Sequence, residues 1–173
     1  MRIRDAAPDD LPAIRRIYNA LIATTTVAWS ETLETAEQRE DWFRARQERD
    51  HAVLVADVDG EAIGFAAYGD FRGAGRWTGY RCTVEHTIHV DEAHWGAGVG
   101  RALLEALIDR ARAQGLHVMV GAIDGDNAES IRFHERLGFV EVARMPEIGT
   151  KFGRWLDLVL MQRILDDQPP PSR

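Results

Sequence analysis

Several features are scarce in this chain, and each scarcity excludes something. There is one cysteine, Cys82, so no internal disulfide can form and a reducing compartment is the expected setting. No apolar run approaches the ~20 residues that a bilayer-crossing helix needs. The opening Met1-Arg2-Ile3-Arg4-Asp5 enters charged, strand-like sequence without the apolar stretch of a secretory signal, so a cytoplasmic address is expected. Positive charge is also in deficit: the net charge of −7 repels a nucleic-acid backbone or an anionic membrane on average. Prolines number 6, and Pro169, Pro170 and Pro171 stand together near the end. They predict a flexible tail over 167–173 behind a single domain over 1–166.

What is present suits a folded core, with 45% hydrophobic and 28% charged residues. Leu11, Ile14, Tyr18, Leu21 and Ile22 recur at helical spacing after Asp9-Asp10, a candidate N-cap. Thr35 with Gln38 reads as a capping box for a second, charged helix carrying Trp42 and Phe43. Strand-like runs at 52–56 and 63–68 flank Asp59-Gly60, a hairpin signal. Residues 69–80 read as a loop, 83–90 as a strand and 98–114 as a helix. Further strands are expected at 118–123, 139–144 and 155–161, with a helix over 128–137 between the first two. The order β-α-α-β-β-β-α-β-α-β-β predicts an α/β fold, a mixed sheet with helices on both faces.

The most informative stretch is Trp95-Gly96-Ala97-Gly98-Val99-Gly100-Arg101-Ala102-Leu103-Leu104. A glycine turn entering a helix presents backbone N–H groups at the positive end of the helix dipole, which suits a pyrophosphate. A dinucleotide fingerprint fails because Arg101 occupies its last glycine place, and a P-loop fails for want of Gly-Lys-Ser/Thr.

The remaining pattern, Gly-x-Gly-x-Gly-x-x-Leu-Leu after the strand ending Thr87-Ile88-His89-Val90, resembles the acetyl-CoA loop of the GNAT family. The later segment from Asn127 through Ser130 and His134 to Gly138-Phe139 is similar to that family's second motif. Three further stretches resemble the phosphinothricin and methionine sulfoximine acetyltransferase group: Thr25-Thr26-Val27-Ala28-Trp29, Tyr80-Arg81-Cys82-Thr83-Val84-Glu85-His86-Thr87, and Gly149-Thr150-Lys151-Phe152-Gly153-Arg154-Trp155-Leu156-Asp157. Trp95 departs from the pattern, standing where the family usually has Gln or Arg.

The resemblance implies an N-acetyltransferase that moves acetyl from acetyl-CoA directly to the amine of a small L-amino-acid analogue. Coenzyme contacts are implied for Ile88, His89, Val90, Trp95, Gly96, Ala97, Gly98, Val99, Gly100, Arg101, Ala102, Asn127 and Ser130. Glu85 is the candidate base, the alternative being a strand carboxylate paired with Arg81. His134 either donates a proton to the leaving thiolate or merely contacts the coenzyme sulfur.

Arg81 is the candidate clamp for a substrate carboxylate, with Arg72 next. Val27, Trp29, Trp77, Tyr80, His86, Thr87 and Lys151 are the remaining candidates for the substrate pocket. A homodimer is implied by the resemblance and by a patch of Lys151, Phe152 and Trp155. No metal is expected, since His86 and His89 fall on opposite faces of one strand. Two other readings stay open: acetylation of an antibiotic amine or a protein N-terminus, and a module that binds acyl-CoA without turnover.

Overall fold

The structure is a computed structural model that describes residues 1–73 and 76–170. The last residues of the expected tail, 171–173, lie outside the described residues. The elements run β1 (Arg2–Asp5), α1 (Leu11–Thr24), α2 (Ala36–Gln47), β2 (Val53–Val58), β3 (Glu61–Asp70), β4 (Thr83–Val90), α3 (Val99–Ala113), β5 (Val118–Asp124), α4 (Ala128–Arg136), β6 (Val140–Lys151) and β7 (Arg154–Ile164). The seven strands form one sheet in the order β1-β2-β3-β4-β5-β7-β6. Among the described residues only β4 and β5 pair in parallel.

Local chemistry fixes most boundaries. Asp59 and Gly60 both take positive φ, 53° and 89°, as a two-residue hairpin turn demands, and β2 and β3 follow from it. The capping box at α2 is formed: Thr35 Oγ1 accepts the Gln38 N–H at 3.2 Å, and Gln38 Oε1 accepts the Thr35 N–H at 2.8 Å.

The cap expected at Asp9-Asp10 is absent. A short 3-10 turn, Pro8–Asp10, leads into α1, and the Asp10 carboxylate instead takes Arg4 at 2.6 and 2.8 Å and the Ala7 N–H at 2.8 Å. The strand expected over 139–144 continues to Lys151 through two register shifts. Pro146 does not stop it because β6 is the outer strand, where a missing N–H leaves no ladder bond unmade.

Side chains alternate across the sheet and build two cores. Ala52, Leu54, Ala66, Tyr68 and Val84 pack on α3 and on the segment from α4 into β6, with Leu103, Leu107, Leu137 and Phe139. Val53, Val55, Phe65 and Ala67 pack on α1 and α2, with Ile14, Ile17 and Phe43. Helices therefore cover both faces, and successive residues of β4 point to opposite faces. No helix among the described residues is long and apolar enough to cross a membrane.

Candidate active site

The sheet opens where its two parallel strands meet. β4 and β5 pair from Thr83 with Val118 to His86 with Gly121, and the ladder stops there although both strands continue, to Val90 and to Asp124. From Thr87 onward β4 thus presents an edge that β5 does not use. A cavity of about 80 Å³ sits at the parting, lined among others by Val27, His86, Ile88, Asn127, Ser130 and His134.

The glycine turn closes one end of this opening. Gly96 and Gly98 take φ of 75° and 81°, a left-handed geometry that costs a residue with a Cβ about 1–2 kcal/mol. Gly98 caps α3, and the first helical N–H bond back to it comes from Ala102 at 3.1 Å. Val99, Gly100 and Arg101 therefore direct N–H groups out of the helix end without an intrahelical acceptor. A Cβ on Gly100 would lie 3.6 Å from the Phe133 ring and 3.8 Å from Val90, so the turn lies against both α4 and the end of β4. Trp95 donates its indole N–H to the Val90 carbonyl at the end of β4 at 2.9 Å, and Arg101 pairs with Glu105 at 2.8 Å.

Asn127 caps α4, its Oδ1 accepting the Ser130 N–H at 3.0 Å. His134, one turn further, is buried and bonded through Nδ1 to the Ser130 carbonyl at 2.7 Å. A carbonyl only accepts, so the proton sits on Nδ1 and the unpartnered Nε2 is a lone-pair acceptor. Burial lowers the His134 pKa, which keeps the ring neutral near pH 7 and unable to donate from Nε2. His86 stacks on it with centroids 5.1 Å apart, in the space that side-chain-free Gly121 provides.

The adjacent residues on β4 face the other way. Glu85, Thr87 and His89 belong to the α1/α2 side, where the His89 ring packs against Tyr18 and Phe65 and bonds Thr87 Oγ1 at 3.0 Å. Only the His89 backbone is left to the opening. Glu85 is reached by solvent, and desolvation by the protein around it pushes its carboxyl above the usual range, with no cation paired to it among the described residues. Arg81 does not reach it: the guanidinium is exposed and donates to the Thr78 carbonyl at 3.3 Å. Arg72, Trp77 and Tyr80 are likewise exposed on the outer loop, where the Tyr80 ring packs against Phe71.

Lys151 stands in a different place from the one its motif suggested. It is buried, and its Nζ donates to the carbonyls of Ile22 at 2.7 Å, Thr25 at 2.7 Å and Ala28 at 2.6 Å. Its neighbours complete the attachment: the Trp29 ring lies where a Cβ on Gly149 would be, and Glu31 accepts the Phe152 N–H at 2.7 Å. The Gly-Thr-Lys-Phe stretch thus holds the link between α1 and α2 onto β6, and Thr26 ties the same link to Asp124 of β5. Val27 is carried to the opening by this link. Lys151 cannot contribute to an exposed dimer patch, although Phe152 and Trp155 remain exposed.

Two arginines, Arg39 buried and Arg46 half-buried, are absent from the expectations drawn from the sequence. Arg39 and Arg46 of α2 line a second cavity of about 190 Å³ with Tyr18, Trp42, Phe65 and Thr87, on the Glu85 face. The signal was their spacing: 39, 42, 43 and 46 form one helical stripe, and an arginine at an apolar position of a buried stripe has a reason to be there.

A mixed sheet parted between its two parallel strands, beside a glycine-turned helix end, defines an acetyltransferase. The sequence matches the Acetyltransferase (GNAT) family over residues 14–139, and the chain belongs to that family. Within it, the chain is 52% identical to the L-methionine sulfoximine/L-methionine sulfone acetyltransferase of Pseudomonas paraeruginosa, over 95% of this chain and 94% of that one. It is 45% identical to an L-amino acid N-acyltransferase of Escherichia coli, over 99% of this chain and 98% of that one. A solved phosphinothricin acetyltransferase from Sinorhizobium meliloti in complex with acetyl-CoA superposes with a TM-score of 0.93 at 33% identity, over 99% of this chain and 91% of that one.

Proposed function

We propose that this acetyltransferase uses acetyl-CoA to acetylate the α-amino group of a small L-amino acid whose side chain ends in an oxygen-bearing tetrahedral group. Methionine sulfone and methionine sulfoximine come first and phosphinothricin next, the last carrying herbicide resistance as its consequence. The observation that carries the reading is the interrupted β4–β5 ladder, with an unpaired carboxylate on one face and free helix amides at its end. The relatives' names supply the acceptor.

Acetyl-CoA, when bound, supplies the thioester that the amine attacks. The amides of Val99, Gly100 and Arg101 hold its pyrophosphate, and the unused edge of β4 from Thr87 to Val90 aligns its arm as a strand would. A backbone N–H near Val90 polarises the thioester carbonyl. Glu85 removes a proton from the substrate ammonium, directly or through one water. The bond from carbonyl carbon to sulfur breaks, and the departing coenzyme thiolate takes up the proton released by the amine; His134, neutral and with only a lone pair at Nε2, accepts from the resulting S–H.

The chain works as one catalytic domain over 1–166 in the cytoplasm, and as a homodimer. Val140, Val142, Ile148, Phe152 and Trp155, exposed along β6 and β7, are apolar surface that a second copy would cover. Sedimentation at micromolar concentration should give twice 19.4 kDa, and a species of that single mass alone would overturn the dimer. The activity is tested by coenzyme release with methionine sulfone, methionine sulfoximine, phosphinothricin, an aminoglycoside and a peptide. The amino acids should be preferred, and faster turnover of the last two would overturn the assignment.

A further inference from the structure

The cavity over the Glu85 face has an unusual charge pattern. Both guanidiniums stack on the one Trp42 ring, Arg39 at 4.4 Å and Arg46 at 4.1 Å from its centroid, and Arg39 also lies 4.7 Å from the Tyr18 ring. Arg39 is fully within the protein and forms an ion pair with Glu34, which neutralises it. Arg46 has no such partner among the described residues. Its Nη1 donates to the Trp42 carbonyl at 3.1 Å, while its Nε is buried with no acceptor. Burial, and then the Arg39 charge, lowers its pKa to about 10, so it remains a cation at neutral pH with a like charge beside it. A surplus cation held in an aromatic cavity is stabilised by an anion that enters with its own charge.

The place of that anion is set by β3. A Cβ at Gly69 would come within 3.5 Å of Arg46 Nη2, and Gly69 is the register partner of Glu85 on the neighbouring strand. Thr87, two residues along the same face, lines the cavity itself. An α-amino acid carries its carboxylate one carbon from its amine. A carboxylate on Arg46 therefore leaves the amine on the Glu85 side of the cavity. The arginines of the outer loop, Arg72 and Arg81, offer no enclosed site of this kind.

We infer that Arg46, backed by the Arg39–Glu34 pair and Trp42, binds the α-carboxylate of the amino-acid substrate and so makes this acetyltransferase select acids over simple amines. The inference rests on the amino-acid reading above. The probes are methionine sulfone, methionine and the decarboxylated amine of methionine sulfone, each assayed by coenzyme release. The native protein should prefer methionine sulfone to its decarboxylated amine at least tenfold in kcat/KM, and equal use of the two would overturn the proposal without any variant. Arg46→Gln should collapse that ratio, raising KM for the acids on the order of tenfold to a hundredfold. Arg46→Lys, which keeps the charge and loses the fork, should fall between. Methionine and its sulfone should suffer alike, and a penalty confined to the sulfone would place the side-chain tail here and overturn the carboxylate assignment. A ratio unchanged in both variants overturns this inference alone. Turnover of aminoglycoside or peptide with neither acid nor amine used overturns the amino-acid reading and this inference with it.

Discussion

At the scale of single residues, the site is arranged by which face of β4 a side chain takes. Glu85 and His86 are neighbours in sequence and work in different layers, one on the α1/α2 side and one stacked on His134. If Glu85 is the base, Glu85→Gln should lower kcat on the order of 10²–10⁴-fold with little change in acetyl-CoA affinity. Its pKa is raised by burial, so the ionised form is lost as pH falls through a value above 4.5. The acidic limb of the rate profile should lie there and vanish in the variant. The folded state disfavours this charge at neutral pH, so the same variant should unfold no more easily than the parent. Activity within a few fold of the parent from pH 6 to 9 would remove Glu85 from the role.

At the scale of elements, the link between α1 and α2 is the part that other segments must hold. Three of its backbone carbonyls converge on one ammonium, and Lys151→Met would leave them buried without a donor. A loss of about 3 kcal/mol or more in denaturant-measured stability is expected, with a rise in KM for the amino acid exceeding that for acetyl-CoA. An unchanged denaturation midpoint would show that water replaces the ammonium freely.

These elements also separate what the sequence makes legible from what it does not. The glycine turn is readable because Gly96 and Gly98 occupy backbone angles that other residues avoid. The hairpin at Asp59-Gly60 is readable for the same reason. The first half of β6 is readable, but its continuation past Arg144 is not, because a strand carrying Pro146 is expected only at an edge and only the packed sheet shows that β6 lies there. Arg39 and Arg46 are not, because a charged helix is expected to face water, and only the packed structure supplies the aromatic rings that enclose them. The Lys-Phe-Gly stretch can be recognised in the sequence, but its task is set by contacts across more than 100 residues of chain.

At the scale of the molecule, buried imidazoles set the response to acid. Burial holds His86 near pKa about 3 and His89 near about 4, against 6.5 in an unfolded chain. Below pH 6.5 the unfolded chain takes up protons at both rings and the folded chain does not. The stability they leave intact above 6.5 is therefore lost as pH falls toward the folded values, at about 1.4 kcal/mol per unit for each ring. Urea midpoints should begin to drop below pH 6.5, well before the Arg4-bound Asp10 is protonated, since its pKa is held below 3.8. His89→Phe should make the decline shallower, and midpoints level down to pH 4.5 would contradict this account.

Lys151 is the only lysine in the sequence. The protein handles an activated acetyl group, toward which any free ε-amine is a competing nucleophile. Here that nucleophile is sealed from solvent with its protons committed to three carbonyls. In the folded state the chain thus offers its own donor no lysine to modify. The same ε-amine becomes reactive on unfolding, so amine-directed labelling of Lys151, read by mass, counts unfolded molecules.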